Sequence, residues 1–170
     1  MRENLSRKDL KKTLDRVFSL YIRLRDCYIW WRWVYVKCPL CWKIVPFTDA
    51  QNMHFVKRSS MWYRYKENNC YAGCYGCNVA LNWNYQQYTL FMISKYWIDK
   101  VEEMVNDKKI YKVKDYELVE MIDYYTAECI KIGDMKGVRQ FIDITKYFSK
   151  KVLNNYWYKI WKLKTSTPRN

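Results

Sequence analysis

The chain has 170 residues, which is enough for one domain with its own hydrophobic core. It contains 31 Lys and Arg against 17 Asp and Glu, which gives a formal charge of +14. This charge favours a polyanionic partner such as nucleic acid, although an AT-rich genome that enriches Lys, Asn and Tyr would also raise it. The first residues lack the apolar core of a signal peptide, and the apolar run 28–36 is too short to span a bilayer and is broken by Arg32. We therefore expect neither a secreted nor a membrane protein.

An amphipathic helix is predicted near the start of the chain. Apolar residues recur there at steps of three and four, the spacing that gives a helix one buried face. This stripe consists of Leu10, Leu14, Val17, Tyr21 and Leu24. Ser6, followed by Asp9 three residues later, is the predicted N-cap, although Glu or Gln is the stronger partner in a capping box.

Two short strands, 33–37 and 43–45, are predicted to form a hairpin with a Cys-x-x-Cys pair at its turn. A second Cys-x-x-Cys pair begins after residue 73, and together the two pairs supply the four thiolates of a tetrahedral structural zinc site. The predicted zinc ligands are Cys38, Cys41, Cys74 and Cys77. The odd total of seven cysteines argues against a disulfide framework. The cysteines predicted to be buried as small apolar residues are Cys27, Cys70 and Cys129.

Three helices are predicted after the second cysteine pair. The first spans about 84–107 and has an apolar stripe of helical period. This stripe consists of Leu90, Ile93, Trp97, Val101 and Met104. The second helix begins at Asp115 and ends near Gly133, and the third runs from Val138 toward Trp161.

The segment between the cysteine pairs contains polar residues that a purely structural zinc site does not require. Among them is the only histidine of the chain. These residues are His54, Arg58, Arg64, Asn68 and Asn69. We interpret zinc as the frame of this region and the enclosed loop as the functional site. The alternative interpretation is that these residues are solvated surface charges and satisfied polar groups.

Several segments of this region together resemble a nuclease motif. The resemblance to the HNH, or ββα-metal, motif depends on residues 51–58 and 64–65, on Asn69 and on residues 74–78. More narrowly, the chain resembles the NinG family of phage recombination proteins. In that family, a helix similar to residues 17–26 (VFSLYIRLRD) precedes the first cysteine pair.

The resemblance extends roughly from Leu10 to Ile132 and implies an α+β fold. Its centre would be a small zinc-stabilised ββα-metal core, of HNH type and treble-clef-like, flanked by an N-terminal helix and a C-terminal helical region. The implied divisions are 1–33 for the N-terminal helix and lead-in, 34–84 for the zinc-bound HNH-like nuclease core, 85–164 for the helical region packed on the core, and 165–170 for a frayed tail.

The resemblance also implies a role for each matching residue. His54 takes the position of the general base, and Asn78 takes the position that binds a catalytic divalent ion. Because an amide oxygen is a hard ligand, this ion would be Mg²⁺ or Mn²⁺. Asn69 takes the middle position of the catalytic set and would brace the loop that holds the histidine. The implied DNA contacts are Lys57, Arg58 and Arg64.

The chain departs from the motif just before the histidine. Many HNH nucleases place an acidic metal ligand there, whereas this chain has Met53. Asp49 and Gln51 are the alternative second ligands of the catalytic ion. Either Asn68 or Asn69 can be aligned with the middle position, because the register differs by one residue.

The implied function is that of a metal-dependent DNA endonuclease, a hydrolase that acts on branched recombination intermediates of phage DNA in the host cytoplasm. DNA is the implied partner, and a homodimer and other recombination proteins are further candidates. The alternative function is that of a zinc-stabilised DNA-binding module without nuclease activity.

Overall fold

The computed structural model describes residues 6–80, 84–143, 146 and 148, and these residues form a mixed α+β fold, as predicted. The helices are α1 (Arg7–Asp26), α2 (Tyr85–Asn106) and α3 (Asp115–Met135). The strands are β1 (Cys27–Trp30), β2 (Trp33–Lys37), β3 (Ile44–Pro46), β4 (Gln51–His54) and β5 (Cys70–Gly73). Short 3₁₀ turns occupy Glu67–Asn69 and Val138–Gln140, and a π-helical turn occupies Gly76–Ala80.

Helix α1 lies at the centre of the core. All residues of its predicted stripe are buried, and the Ser6 hydroxyl accepts a hydrogen bond from the Asp9 amide at 3.2 Å, so the predicted helix and N-cap are confirmed. The helix packs against α3, β4 and β5. Lys136, which follows α3, donates to three carbonyl oxygens at the end of α1 at 2.7 to 2.9 Å. This ammonium group satisfies carbonyls that have no partner within the helix.

The first sheet has the strand order β1-β2-β3 and is antiparallel throughout. The predicted hairpin corresponds to β2 and β3, with the first cysteine pair in its turn, and is confirmed. The apolar run 28–36 forms a further hairpin of β1 and β2 that the sequence did not reveal. Trp31 adopts a left-handed φ of 55°, which allows the chain to reverse through Trp31 and Arg32. Alternate side chains of the sheet are buried, and the other face is open to solvent.

The second sheet consists of β4 and β5, which pair antiparallel with His54 opposite Cys70. The sequence did not reveal β4 because three of its four residues are polar. Its one buried residue, Met53, lies so close to Gly73 that a Cβ on the glycine would come within 2.4 Å of the Met53 Cε. The same position would be 3.2 Å from Cys38 Sγ. Gly73 therefore allows β4, β5 and the first cysteine pair to pack closely.

Helix α2 confirms the predicted helix 84–107 but corrects its apolar face. Val101 and Met104 are buried as predicted, whereas Leu90 and Trp97 are exposed. The helix is kinked at Trp97, whose φ of 64° and ψ of 159° are not helical. The kink changes which side of the helix meets the core. A single helical period therefore does not describe both halves.

Helix α3 confirms the helix predicted from Asp115 and continues to Met135. Of the third predicted helix, residues 138–140 form a 3₁₀ turn and 141–143 are not helical, which corrects the prediction at its start. Gly137 precedes this turn with a left-handed φ of 65°, which interrupts the helical path. The rest of that helix lies almost entirely outside the described residues, as does the predicted tail 165–170. In the described part of the chain, no helix is both long and apolar enough to cross a membrane.

Candidate functional site

Four cysteine thiols converge at one point of the structure. The Sγ atoms of Cys38, Cys41, Cys74 and Cys77 all lie within 4.8 Å of one another, and those of Cys41 and Cys74 are 3.6 Å apart. A tetrahedral zinc ion with Zn–S bonds of about 2.3 Å holds its sulfur ligands roughly 3.8 Å apart, whereas a disulfide requires about 2.05 Å. The cluster therefore has the ligand type, number and spacing of a structural metal site such as one for zinc.

Two different turns bring these thiols together. Between β2 and β3, the Cys38 amide donates to the Lys43 carbonyl at 2.8 Å, and the Trp42 amide donates to the Cys38 carbonyl at 2.9 Å. Of the second pair, Cys74 follows β5 and Cys77 lies in the π-helical turn, and the Cys77 amide donates to Cys74 Sγ at 3.4 Å. Amide donors of this kind stabilise a thiolate, the form that binds metal.

Burial affects the protonation of two of the four thiols. It raises the pKa of the Cys38 thiol and that of the Cys77 thiol, so both favour the neutral form in the absence of a cation. A metal ion reverses this preference because it binds the deprotonated sulfur. The remaining cysteines are buried and unbridged, as predicted; they are Cys27, Cys70 and Cys129.

A cavity of about 790 Å³ opens between α1, β4, the loop after β4 and the π-helical turn. It brings together five residues that the sequence singled out. These residues are Gln51, His54, Lys57, Arg58 and Asn78. The elements that carry them are separate in sequence, so the fold creates this convergence.

Helix α1 contributes two cavity residues that sequence reasoning missed. Ser19 and Arg23 both line the cavity, and the Arg23 Nε donates to the Ser19 carbonyl at 3.3 Å. The Arg23 guanidinium lies 5.2 Å from the centre of the Phe47 ring. The sequence signal was the pair of polar residues four positions apart in the otherwise apolar segment 17–24 of the helix, a spacing that places both on one face.

The environment of His54 fixes its tautomer. Its Nε2 lies 3.1 Å from the Arg64 carbonyl, and since a carbonyl oxygen only accepts, Nε2 carries the proton. Burial, together with the positive charges of Arg58 and Arg64, lowers the pKa of His54 from 6.5 to about 4. The ring is therefore neutral at pH 7, and its Nδ1 keeps an available lone pair.

The side chains of Asn78 and Gln51 meet across the cavity wall. The Asn78 Nδ2 donates to Gln51 Oε1 at 2.7 Å, which leaves the Asn78 Oδ1 as an acceptor. Asp49, the other alternative for the second metal ligand, is exposed, does not line the cavity and accepts a hydrogen bond from Thr48 Oγ1 at 3.0 Å. The structure thus places Gln51, and not Asp49, beside Asn78.

Asn69 is fully buried and does not line the cavity. Its Oδ1 accepts from the Val56 amide at 2.7 Å, and its Nδ2 donates to the carbonyls of Val56 and Tyr63 at 3.0 Å. These bonds close the loop that follows His54, and they are made by Asn69 and not by Asn68. The contacts are those of a bracing residue.

Arg64 is also absent from the cavity lining. Its guanidinium donates to both carboxylate oxygens of Asp15 on α1, at 3.0 and 2.6 Å, and to the Arg58 carbonyl at 3.0 Å. The Arg64 side chain thus fastens the loop to α1, while its own carbonyl holds His54. Lys57 and Arg58, the other two predicted DNA contacts, are exposed and line the cavity.

Comparison with known proteins relates the chain to one family. Residues 3–134 match the family model described as bacteriophage lambda NinG protein. The chain belongs to the NinG family. The match includes the cysteine cluster and every residue that lines the cavity. No curated protein and no solved structure matches the chain.

The cavity of this NinG protein is basic. No Asp or Glu is among the described residues that line it, whereas Arg23, Lys57 and Arg58 are. Its wall also contains a buried acceptor, Asn52 Oδ1, that has no hydrogen-bond partner within the described part of the chain. A cavity with several cations and amide oxygens is suited to a phosphate group accompanied by a metal ion.

Proposed function

We propose that this NinG protein is a metal-dependent DNA endonuclease of the HNH type, a phosphodiester hydrolase that acts on branched recombination intermediates. The observation that carries the proposal is the shared cavity, which contains a neutral imidazole, an amide oxygen donor and exposed cations. A base for the attacking water, a metal ligand and phosphate contacts are what phosphodiester hydrolysis requires. The order of β4, β5 and the helical turn with Asn78 supports a ββα-metal core.

His54 is the proposed general base. Its Nδ1 accepts the proton of a water molecule as that water attacks phosphorus, while the proton on Nε2 stays hydrogen-bonded to the Arg64 carbonyl and keeps the ring oriented. With a pKa of about 4, the imidazole of the free protein is a weak base. Besides burial, Arg58 and Arg64 cause this lowering, and a bound phosphate offsets their charge. DNA binding therefore raises the pKa of His54 toward the working pH.

The oxygen donors of the cavity fit a hard divalent cation. Asn78 Oδ1, Gln51 Oε1 and Asn52 Oδ1 are amide oxygens, a ligand type that Mg²⁺ and Mn²⁺ accept, and that of Asn52 has no hydrogen-bond partner among the described residues. When bound, such an ion would stabilise negative charge on the phosphate and on the leaving oxygen. Because these donors are neutral, the DNA phosphate has to supply the compensating charge. We therefore expect the ion to bind tightly only together with DNA.

The second candidate function is that of a zinc-stabilised DNA-binding module without nuclease activity. The observation that favours it is the lack of an acidic residue among the described residues of the cavity wall. Lys57 and Arg58 would then hold a phosphate that is never cut. The two candidates share the cysteine cluster and DNA as the partner, and they differ in the chemistry at His54.

A cleavage assay separates the two candidates. The protein is incubated with supercoiled plasmid or a synthetic four-way junction, in Mg²⁺, Mn²⁺ or EDTA. We expect metal-dependent cleavage with a preference for the junction, and a loss of roughly 10²- to 10⁴-fold in His54→Ala with metal content and DNA binding unchanged. Ser59→Ala, in the same cavity wall, is the matched control and should cut like the wild type. Normal cleavage by His54→Ala, or no cleavage by the wild type with any divalent ion, favours the binding module.

A further inference from the structure

The solvent-exposed face of the first sheet is covered with aromatic rings. The aromatic face consists of Tyr28 and Trp30 on β1 and of Trp33 and Tyr35 on β2. The strand register sets Tyr28 opposite Tyr35 and Trp30 opposite Trp33. The two tyrosine rings stack with their centroids 5.8 Å apart, and the two tryptophans are 78% and 73% exposed. The rings thus form two adjacent rows on one side of the hairpin.

Cations flank this face without any acidic residue. Residues 27–47 form the whole sheet with its turns and contain no Asp or Glu. The flanking cations are Arg32 in the β1–β2 turn, Lys37 at the end of β2 and Lys43 before β3, and all are exposed. The Lys37 ammonium lies 4.7 Å from the centre of the Trp42 ring, which is itself exposed. The surface therefore combines flat apolar rings with positive charge.

A groove of about 580 Å³ extends the same surface toward α2. Tyr28, Lys37 and Trp42 line its sheet side, and Phe91 and Lys95 line its α2 side. None of its lining residues belongs to the His54 cavity. The groove offers an extended ligand a path that begins at the aromatic face and passes between further rings and cations. The acidic residue among its described lining residues, Asp26, forms an ion pair with Arg25 and accepts a hydrogen bond from the Ala72 amide.

We propose that the aromatic face binds single-stranded DNA, with unpaired bases stacked on its rings and phosphates held by the flanking cations. Every base has a π-face, so a row of exposed rings beside cations is a sequence-tolerant platform for single strands. Charge favours single-stranded DNA over a second copy of the chain as the partner of this face. Two copies, each with a formal charge of +14, would bring their flanking cations close together. The choice of DNA rests on the proposed function, because a branched intermediate exposes unpaired bases where its strands diverge.

Binding without chemistry tests the proposal. Fluorescence anisotropy measures the affinity of the full chain for labelled oligothymidylate and for a duplex of equal length, without added Mg²⁺ or Mn²⁺. We expect Trp30→Ala and Trp33→Ala each to weaken oligothymidylate binding on the order of tenfold, and duplex binding much less. Trp97→Ala is the matched control, because this tryptophan is 82% exposed on α2 and lies outside the face and the groove. It should bind both DNAs like the wild type.

Unchanged oligothymidylate binding in Trp30→Ala and Trp33→Ala would overturn the proposal, and so would an equal loss in Trp97→Ala. Sedimentation that shows a wild-type dimer dissociated by Trp30→Ala would assign the face to a second copy of the chain. Tighter binding of oligouridylate of the same length would overturn the choice of DNA. Because affinity is measured without cleavage, failure of the nuclease proposal leaves this result intact. Failure of single-strand binding likewise leaves plasmid cleavage at His54 in place.

Discussion

Replacing Asn69 with alanine removes three side-chain hydrogen bonds that hold the loop after β4. The Val56 amide loses its acceptor, and the carbonyls of Val56 and Tyr63 lose a shared donor. Asn69 is fully buried, so the cavity left by its side chain is closed to bulk water. A buried polar group left unpaired costs about 1 to 3 kcal/mol, and Val56 is only half-buried, which allows water to compensate part of its loss. We therefore expect Asn69→Ala to lower the free energy of unfolding by roughly 3 to 5 kcal/mol.

Denaturant unfolding followed by circular dichroism, at a fixed zinc concentration, measures this loss. Asn68→Ala is the matched control, because Asn68 is partly exposed and its side chain makes no hydrogen bond within the described residues; its effect should stay below about 0.5 kcal/mol. In the folded fraction of Asn69→Ala, cleavage should also fall, since the loosened loop carries the Arg64 carbonyl that orients His54. A loss below about 1 kcal/mol in Asn69→Ala, or equal losses in both variants, would refute the bracing role.

Cys74→Ser should release the metal and unfold the middle of the chain, because structural zinc contributes on the order of 10 kcal/mol to stability. Cys129→Ser, the control, should retain the metal. Elemental analysis measures the zinc content, and a wild-type protein without zinc would contradict the prediction. Gln51→Glu should lower the Mn²⁺ concentration needed for half-maximal cleavage, because it adds a carboxylate ligand beside Asn78. An unchanged Mn²⁺ titration would count against the metal site. Between pH 6.5 and 4, the unfolded chain binds a proton at His54 that the folded chain does not, so stability should fall as the pH is lowered through this window. In His54→Gln, the free energy of unfolding should fall by roughly 2 kcal/mol less than in the wild type between pH 6.5 and about pH 5. Denaturant unfolding at several pH values measures this difference, and identical pH profiles would show that His54 is not buried as a neutral ring.

The parts of the fold that were predictable have local signals. The apolar period of α1 and the spacing of the cysteine pairs depend on neighbours in sequence, and both are confirmed. The second sheet has no such signal, because its polar β4 is held by pairing with a distant strand and by Met53 against Gly73. The kink at Trp97 is likewise a tertiary feature. It divides α2 into halves whose buried faces do not share one period.

The candidate site was predictable in its central members, but its residues from α1 and the partners of its side chains were not. The resemblance to the motif named His54 and Asn78, and the fold places both on one cavity wall. Two arginines of the same loop could not be distinguished in sequence. Arg58 lines the cavity, whereas Arg64 pairs with Asp15, which lies 49 positions away in the chain. Such a pairing depends on how α1 packs, and no local pattern contains it.

Helix α1 explains how the cavity is held rigid beside the second sheet. Near its end, the Asp26 carboxylate accepts the Ala72 amide of β5 at 2.8 Å, and the Arg25 guanidinium donates to the Cys70 carbonyl at 2.7 Å. Two residues before Arg25, Arg23 lines the cavity. The charged residues of one short segment therefore serve different purposes, since Arg25 and Asp26 anchor β5 while Arg23 contributes positive charge to the site. Because β5 pairs with β4, this anchor fixes the position of His54 relative to the cavity wall of α1.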